Sequence, residues 1–169
     1  MAILRCTQKL LSELKLKPAD SKEQPSDLSS WHANLLRIDR RKCVLFTHDT
    51  TLYSFFVPGL KKPDFENIRE VFRQNFFKSL IAEDITQKHI EIFLEANREI
   101  RIYKTNNRSV LGSMNDLTFQ LKHTIAYEGG IENTDITKLI YDINRIPMSA
   151  IEEIYSIYEL KKLFKKLNR

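Results

Sequence analysis

The chain has 169 residues, 42% hydrophobic and 29% charged, with a net charge of +5 and a pI near 9.2. That is the length of one domain, residues 1–169, able to bury a core without staples, and four glycines and five prolines exclude a low-complexity chain. No apolar run is long enough to span a membrane, residues 1–11 are too interrupted by Arg5, Gln8 and Lys9 for a signal peptide, and two cysteines, Cys6 and Cys43, without metal or redox spacing fit a reducing cytoplasm.

Residues 2–6 read as a short strand. Thr7 is placed to cap a helix over 8–15 that lays Leu10, Leu11 and Leu14 on one face. Lys17-Pro18 ends it, and 18–30 reads as a loop. Residues 31–58 carry β-branched and aromatic runs between short polar turns. That pattern predicts an antiparallel meander with turns at Asp39-Arg40-Arg41-Lys42 and His48-Asp49-Thr50, closed by Pro58-Gly59.

Residues 64–82 repeat Phe65, Ile68, Val71, Phe72, Phe76 and Leu80 at helical spacing. A second helix follows over 85–97. Residues 99–104 alternate as a strand. Residues 109–127 form a long helix stopped by Gly129-Gly130. A short helix over 135–144 precedes Pro147, and Ser149 with Glu152 spells a capping box for the last helix. The expected fold is α+β: a mainly antiparallel sheet of about five strands, near 2–6, 32–38, 43–47, 51–57 and 99–104, packed with about six helices.

Three groups of residues could carry chemistry. At the junction of 99–104 with the long helix, Asn106, Asn107, Arg108, Ser109, Ser113, Asn115 and Asp116 surround a helix N-terminus. Free backbone N–H groups and a forked guanidinium there could cradle an anion. The same residues also suit plain capping by Asn107 or Ser109. A basic surface is offered by Arg40, Arg41 and Lys42, and by Lys161, Lys162, Lys165 and Lys166, with Arg169 beyond. His32, His48 and Asp49 could act as acid and base, but the histidines lack metal-ligand spacing. Nothing in the pattern requires a cofactor or a metal, and no P-loop or dinucleotide fingerprint is present.

Trp31-His32-Ala33-Asn34-Leu35, then Ile38 to Phe46, then Asn107 to Asp116, then Asn144-Arg145-Ile146-Pro147-Met148 resemble the signature blocks of one family. It is a bacterial and archaeal family of small proteins catalogued as a domain of unknown function. The resemblance implies a self-contained cytoplasmic domain and brings no activity, cofactor or site residue with it. The first functional expectation is a binding or regulatory module for nucleic acid or another polyanion, with an acidic protein as the other partner class. The alternatives are a protein-interaction subunit, or a hydrolase or nuclease using Arg108, Asn115, Asp116 and His123.

Overall fold

The computed structural model describes residues 1–168; Arg169 lies outside the described residues. Five strands make one mixed sheet in an α+β fold: β1 (Ala2–Cys6), β2 (Ser30–Ile38), β3 (Arg41–His48), β4 (Ser54–Leu60) and β5 (Ile100–Lys104), in the order β4-β3-β2-β1-β5. The antiparallel part is the expected β2–β3–β4 meander. β1 joins in parallel beside β2, and β5 adds in parallel on its far side. The first strand of the chain is therefore internal, which explains why all five of its residues are buried.

Seven α-helices cover the sheet among the described residues: α1 (Gln8–Leu14), α2 (Lys62–Glu66), α3 (Ile68–Ala82), α4 (Gln87–Ala96), α5 (Arg108–Tyr127), α6 (Ile136–Ile143) and α7 (Ser156–Leu167), with a 3-10 turn at Ile131–Asn133. Strand alternation sorts the core into two layers. On one face Leu4, Trp31, Ala33, Val44, Phe46 and Phe55 meet α1, α3, α4 and α7 through Leu10, Phe72, Phe76, Phe93 and Phe164. On the other, Leu36, Ile38, Cys43, Leu45 and Phe56 meet α5 and α6 through Met114, Leu117, Leu121, Leu139 and Ile143. Trp31 centres the first layer. Its ring stands edge-on to Phe72 and Phe76 with centroids 5.0 and 4.9 Å away, and its indole N–H donates to Asn97 Oδ1 at 3.1 Å. Truncating so buried an aromatic costs about 3–5 kcal/mol.

Several boundaries differ from the sequence expectation for identifiable reasons. The β2–β3 turn is only Asp39-Arg40, both at positive φ (51° and 62°), so Arg41 and Lys42 are strand residues. β4 starts at Ser54, not near 51, because Thr51 and Leu52 complete a turn: the Thr51 hydroxyl and the His48 ring hydrogen bond at 2.9 Å, and Leu52 has φ 58°. β4 also continues through Pro58-Gly59 to Leu60. Proline is tolerated there because β4 is an edge strand. The 64–82 helix is two helices, broken at Asn67 (φ −114°, ψ 33°), whose side chain bonds back to Pro63 O. The last helix begins at Ser156 rather than after Ser149, because the Glu152 carboxylate accepts from Lys162 instead of closing a capping box.

Candidate functional site

Of the predicted junction, the structure keeps the helix start and fills the cradle from within. Asn107 is the N-cap of α5, and its Oδ1 accepts from Ser109 N–H and Val110 N–H at 3.0 and 3.1 Å. Two of the free amides are thereby spent on the protein's own side chain. Asn106, Arg108 and Ser109 are exposed, and Ser113 is buried. The later residues diverge around the helix. Ser113 and Asp116 line a cleft of about 250 Å³ against Pro147 and Met148, whereas Asn115 faces a different depression. Arg108 and His123 line neither, so the proposed hydrolytic set is not gathered around one cleft.

The basic residues do not form one surface either. Arg41 pairs with Glu132, Lys42 with Glu13 at 2.5 Å, and Lys162 with Glu152 and Glu153 at 2.7 and 3.1 Å. Arg40, Lys161, Lys165 and Lys166 make no ion pair among the described residues. Arg40 sits at the β2–β3 turn. The start of α7 is tied to Asn144, which itself binds Ser54 near the opposite end of the meander. The two clusters thus belong to different elements, a strand turn and the body of α7.

A polar row crosses the α5–α6 face of the sheet in register: Tyr103, Arg5, His32, Thr47 and Ser54, one from each strand. Asp49 closes it from the β3–β4 turn. Its Oδ1 lies 2.6 Å from His32 Nδ1, and its Oδ2 accepts from Ser30 Oγ at 2.5 Å and Arg5 Nη1 at 3.2 Å. Burial would raise the Asp49 carboxyl, but bonds from His32 and Ser30 and the Arg5 charge hold it below the usual range. Among the described residues His32 Nε2 is buried without a hydrogen-bond partner, and no nucleophile is attached to this His–Asp pair. His48, adjacent to Asp49 in sequence, faces the other layer, edge-on to Trp31 with centroids 4.8 Å apart. Among the described residues, no three His, Cys, Asp or Glu side chains are grouped to hold a metal.

A slot of about 630 Å³ lies beside β2. β1 stops pairing at Cys6, opposite Ala33; Thr7 N–H gives one more bond to Ala33 O at 3.1 Å, and the chain leaves as α1. Beyond that point no strand among the described residues pairs with β2 on this side. The β2–β3 ladder begins with Asp49 N–H donating to Ser30 O, so even positions of β2 face β3 and odd ones face away. Leu35 and Arg37 therefore turn N–H and C=O groups into the slot. Its walls are α1, through Lys9, and α5, through Asn115, Thr118 and Lys122. Lys9, Arg37 and Lys122 are exposed and make no ion pair among the described residues. The acid in the slot, Glu13, is already neutralised by Lys42. The Thr118 hydroxyl is buried there without a partner.

The sequence model of a domain of unknown function, DUF6933, matches residues 3–159. The chain belongs to this family. No curated protein and no solved structure matches it.

The four stretches that resemble the family have separate structural duties. Trp31 to Leu35 supplies the core tryptophan, His32 of the polar row, and Asn34, whose Oδ1 accepts from Thr7 Oγ1 at 2.7 Å. Ile38 to Phe46 holds the tight turn, where Asp39 Oδ2 accepts from Ile131 N–H at 2.7 Å; a Cβ on Gly130 would come within 3.0 Å of that oxygen. Asn107 to Asp116 starts α5, and Asn144 to Met148 binds the edge of β4. The slot's cations lie outside all four stretches: Lys9, Arg37 and Lys122 come from α1, β2 and α5. No sequence spacing relates them, so only the fold brings them together.

Proposed function

We propose that the chain is a binding module that takes up an extended acidic segment of a protein partner in the slot beside β2. The open strand edge carries the reading. Leu35 and Arg37 offer backbone donors and acceptors at the two-residue repeat of a strand, roughly 6.6 Å, which is what an added peptide strand requires. Lys9, Arg37 and Lys122 surround that edge with free positive charge, which selects carboxylates and speeds encounter. Nucleic acid is the less supported polyanion, because the basic residues are dispersed and several are already paired. The hydrolytic alternative lacks a shared cleft for Arg108, Asp116 and His123. A reducing, cytoplasmic setting belongs to the same proposal. Two unpaired buried thiols support it, and burial pushes that of Cys6 up to about 12.

Fluorescence anisotropy tests the reading with three labelled probes: a short peptide alternating glutamate and valine, its glutamine counterpart, and single-stranded RNA. The glutamate peptide should bind, more weakly as salt rises, and the glutamine peptide at least several-fold less. Arg37→Glu and Lys122→Glu should each lower affinity about threefold to tenfold, the range for an exposed charge pair whose sign is reversed. RNA binding without peptide binding would transfer the site to nucleic acid. Peptide binding indifferent to both reversals would remove the slot.

A further inference from the structure

The other edge of the sheet carries a second site, independent of the slot. His48 N–H donates to Tyr53 O at 2.8 Å, so odd positions of β4 face β3 and even positions face outward. Ser54 is the first outward residue, and a carboxamide occupies it. Ser54 N–H donates to Asn144 Oδ1 at 2.8 Å, and Asn144 Nδ2 donates to Ser54 O at 2.7 Å. Phe56, two residues on, presents the same donor and acceptor outward. The pairing is regular through Leu45–Phe56, and the irregularity of the ladder falls beyond it, between Lys42 and Val44. Among the described residues no side chain caps Phe56.

Instead Phe56 and Pro58, but not the intervening Val57, line a cavity of about 350 Å³. Phe56 and Pro58 share one side of β4, whereas Val57 belongs to the other layer. Ala82 of α3 forms one wall, and Ile136 and Ile140 of α6 form the other. The charges around it are mostly committed: Glu83 accepts from both Arg145 Nη atoms at 3.0 and 2.7 Å, Lys138 pairs with Asp142, and Asp135 caps α6. Lys78 is the lining cation without an ion pair among the described residues. Asn75, Ser79 and Thr137 add neutral polar groups to the lining, and a backbone donor–acceptor pair between the apolar walls selects a neutral ligand that carries both complements on one planar group.

We propose that this cavity binds a small molecule bearing a carboxamide, seated on Phe56 as the Asn144 side chain is seated on Ser54. The ligand carbonyl accepts from Phe56 N–H, its amide N–H donates to Phe56 C=O, and its apolar body lies between Ala82 and Ile136.

Amide-resolved NMR titration of the full chain tests this with benzamide as probe. Acetophenone, which keeps the acceptor and loses the donor, and benzoate, which loses the donor and adds charge, serve as comparisons. Benzamide should give saturable shifts at Phe56 and Ala82 with a Kd on the order of 1 mM, reasonable for so small a ligand. Acetophenone and benzoate should bind at least tenfold more weakly. Ala82→Phe, which fills the cavity without touching Asn144, should abolish the shifts; should it not fold, Ile136→Trp fills the opposite wall. Equal affinity for acetophenone would make the cavity merely apolar. Tighter binding of benzoate would assign recognition to Lys78. Either result, or no saturable shift with benzamide, overturns the proposal. The slot's peptide assay is unaffected by any of them.

Discussion

Replacing Asn144 with alanine should cost far more than its size suggests. The side chain is fully buried and makes four bonds: it accepts from Ser54 N–H and Ser156 Oγ and donates to the carbonyls of Ser54 and Ile140. Ser156 Oγ retains a bond to the Asn144 carbonyl at 3.3 Å, and Ile140 C=O belongs to a helix. Ser54 loses both partners at once, in a place where the residue is 0% exposed. At about 1–3 kcal/mol for each stranded backbone group, the loss centres near 4 kcal/mol. That is a large part of the ~5–15 kcal/mol available to a domain. In urea it corresponds to a midpoint lowered by about 2 M for a slope near 2 kcal/mol/M. Circular dichroism during urea unfolding measures it. Asn144→Asp should not rescue, because it keeps the acceptor, loses the donor and buries a charge beside a carbonyl. A loss below about 1 kcal/mol, or wild-type stability in Asn144→Asp, would refute the idea that this carboxamide satisfies the outward backbone groups of Ser54.

Two further outcomes follow from buried ionisable groups. Burial holds His48 down to about 4, below its ordinary 6.5. The unfolded chain therefore takes up the proton first, and stability should fall as pH drops from 6.5 towards 4 and stay level above. The loss from this residue is roughly 3 kcal/mol. Urea midpoints at pH 7 and pH 4.5 should differ clearly in the wild type and much less in His48→Gln; equal differences would contradict it. The Glu83 side chain is 3% exposed against 24% for Arg145. Arg145→Ala should therefore destabilise by about 3 kcal/mol and Glu83→Gln by less, because only the first strands a buried charge. Denaturant unfolding of the two variants gives the order, and the reverse order would count against the asymmetry.

Local rules carried much of the fold. Short apolar runs placed β1 and β3 and alternation placed β5, each within a residue or two, and helical periodicity placed α5, whose start follows from Asn107 acting as an ordinary cap. The misses came where a side chain had two available partners. Glu152 could have bonded a backbone amide near Ser149 and instead took Lys162. Thr51 had strand propensity and was drawn into a turn by His48. The break at Asn67 leaves no mark in the periodicity, since Phe65 and Ile68 are buried on either side of it. The candidate site was legible only as a neighbourhood. Asn115 does face the slot, yet the features that make the slot, an absent neighbour for β2 and three cations from α1, β2 and α5, are properties of the register. A conclusion about strand edges cannot be reached before the order of strands is known.

The internal position of β1 also sets a timetable for biosynthesis. Ala2 pairs with Ile100, so one flank of the first strand waits for residues translated about 98 positions later. At about 5–20 residues per second, that is a delay of roughly 5–20 seconds. During it, the buried Ile3 to Cys6 segment has an unsatisfied side, open to any passing strand. A chain halted before residue 100 leaves that flank of β1 without its partner strand, which is the kind of unpaired edge that aggregates.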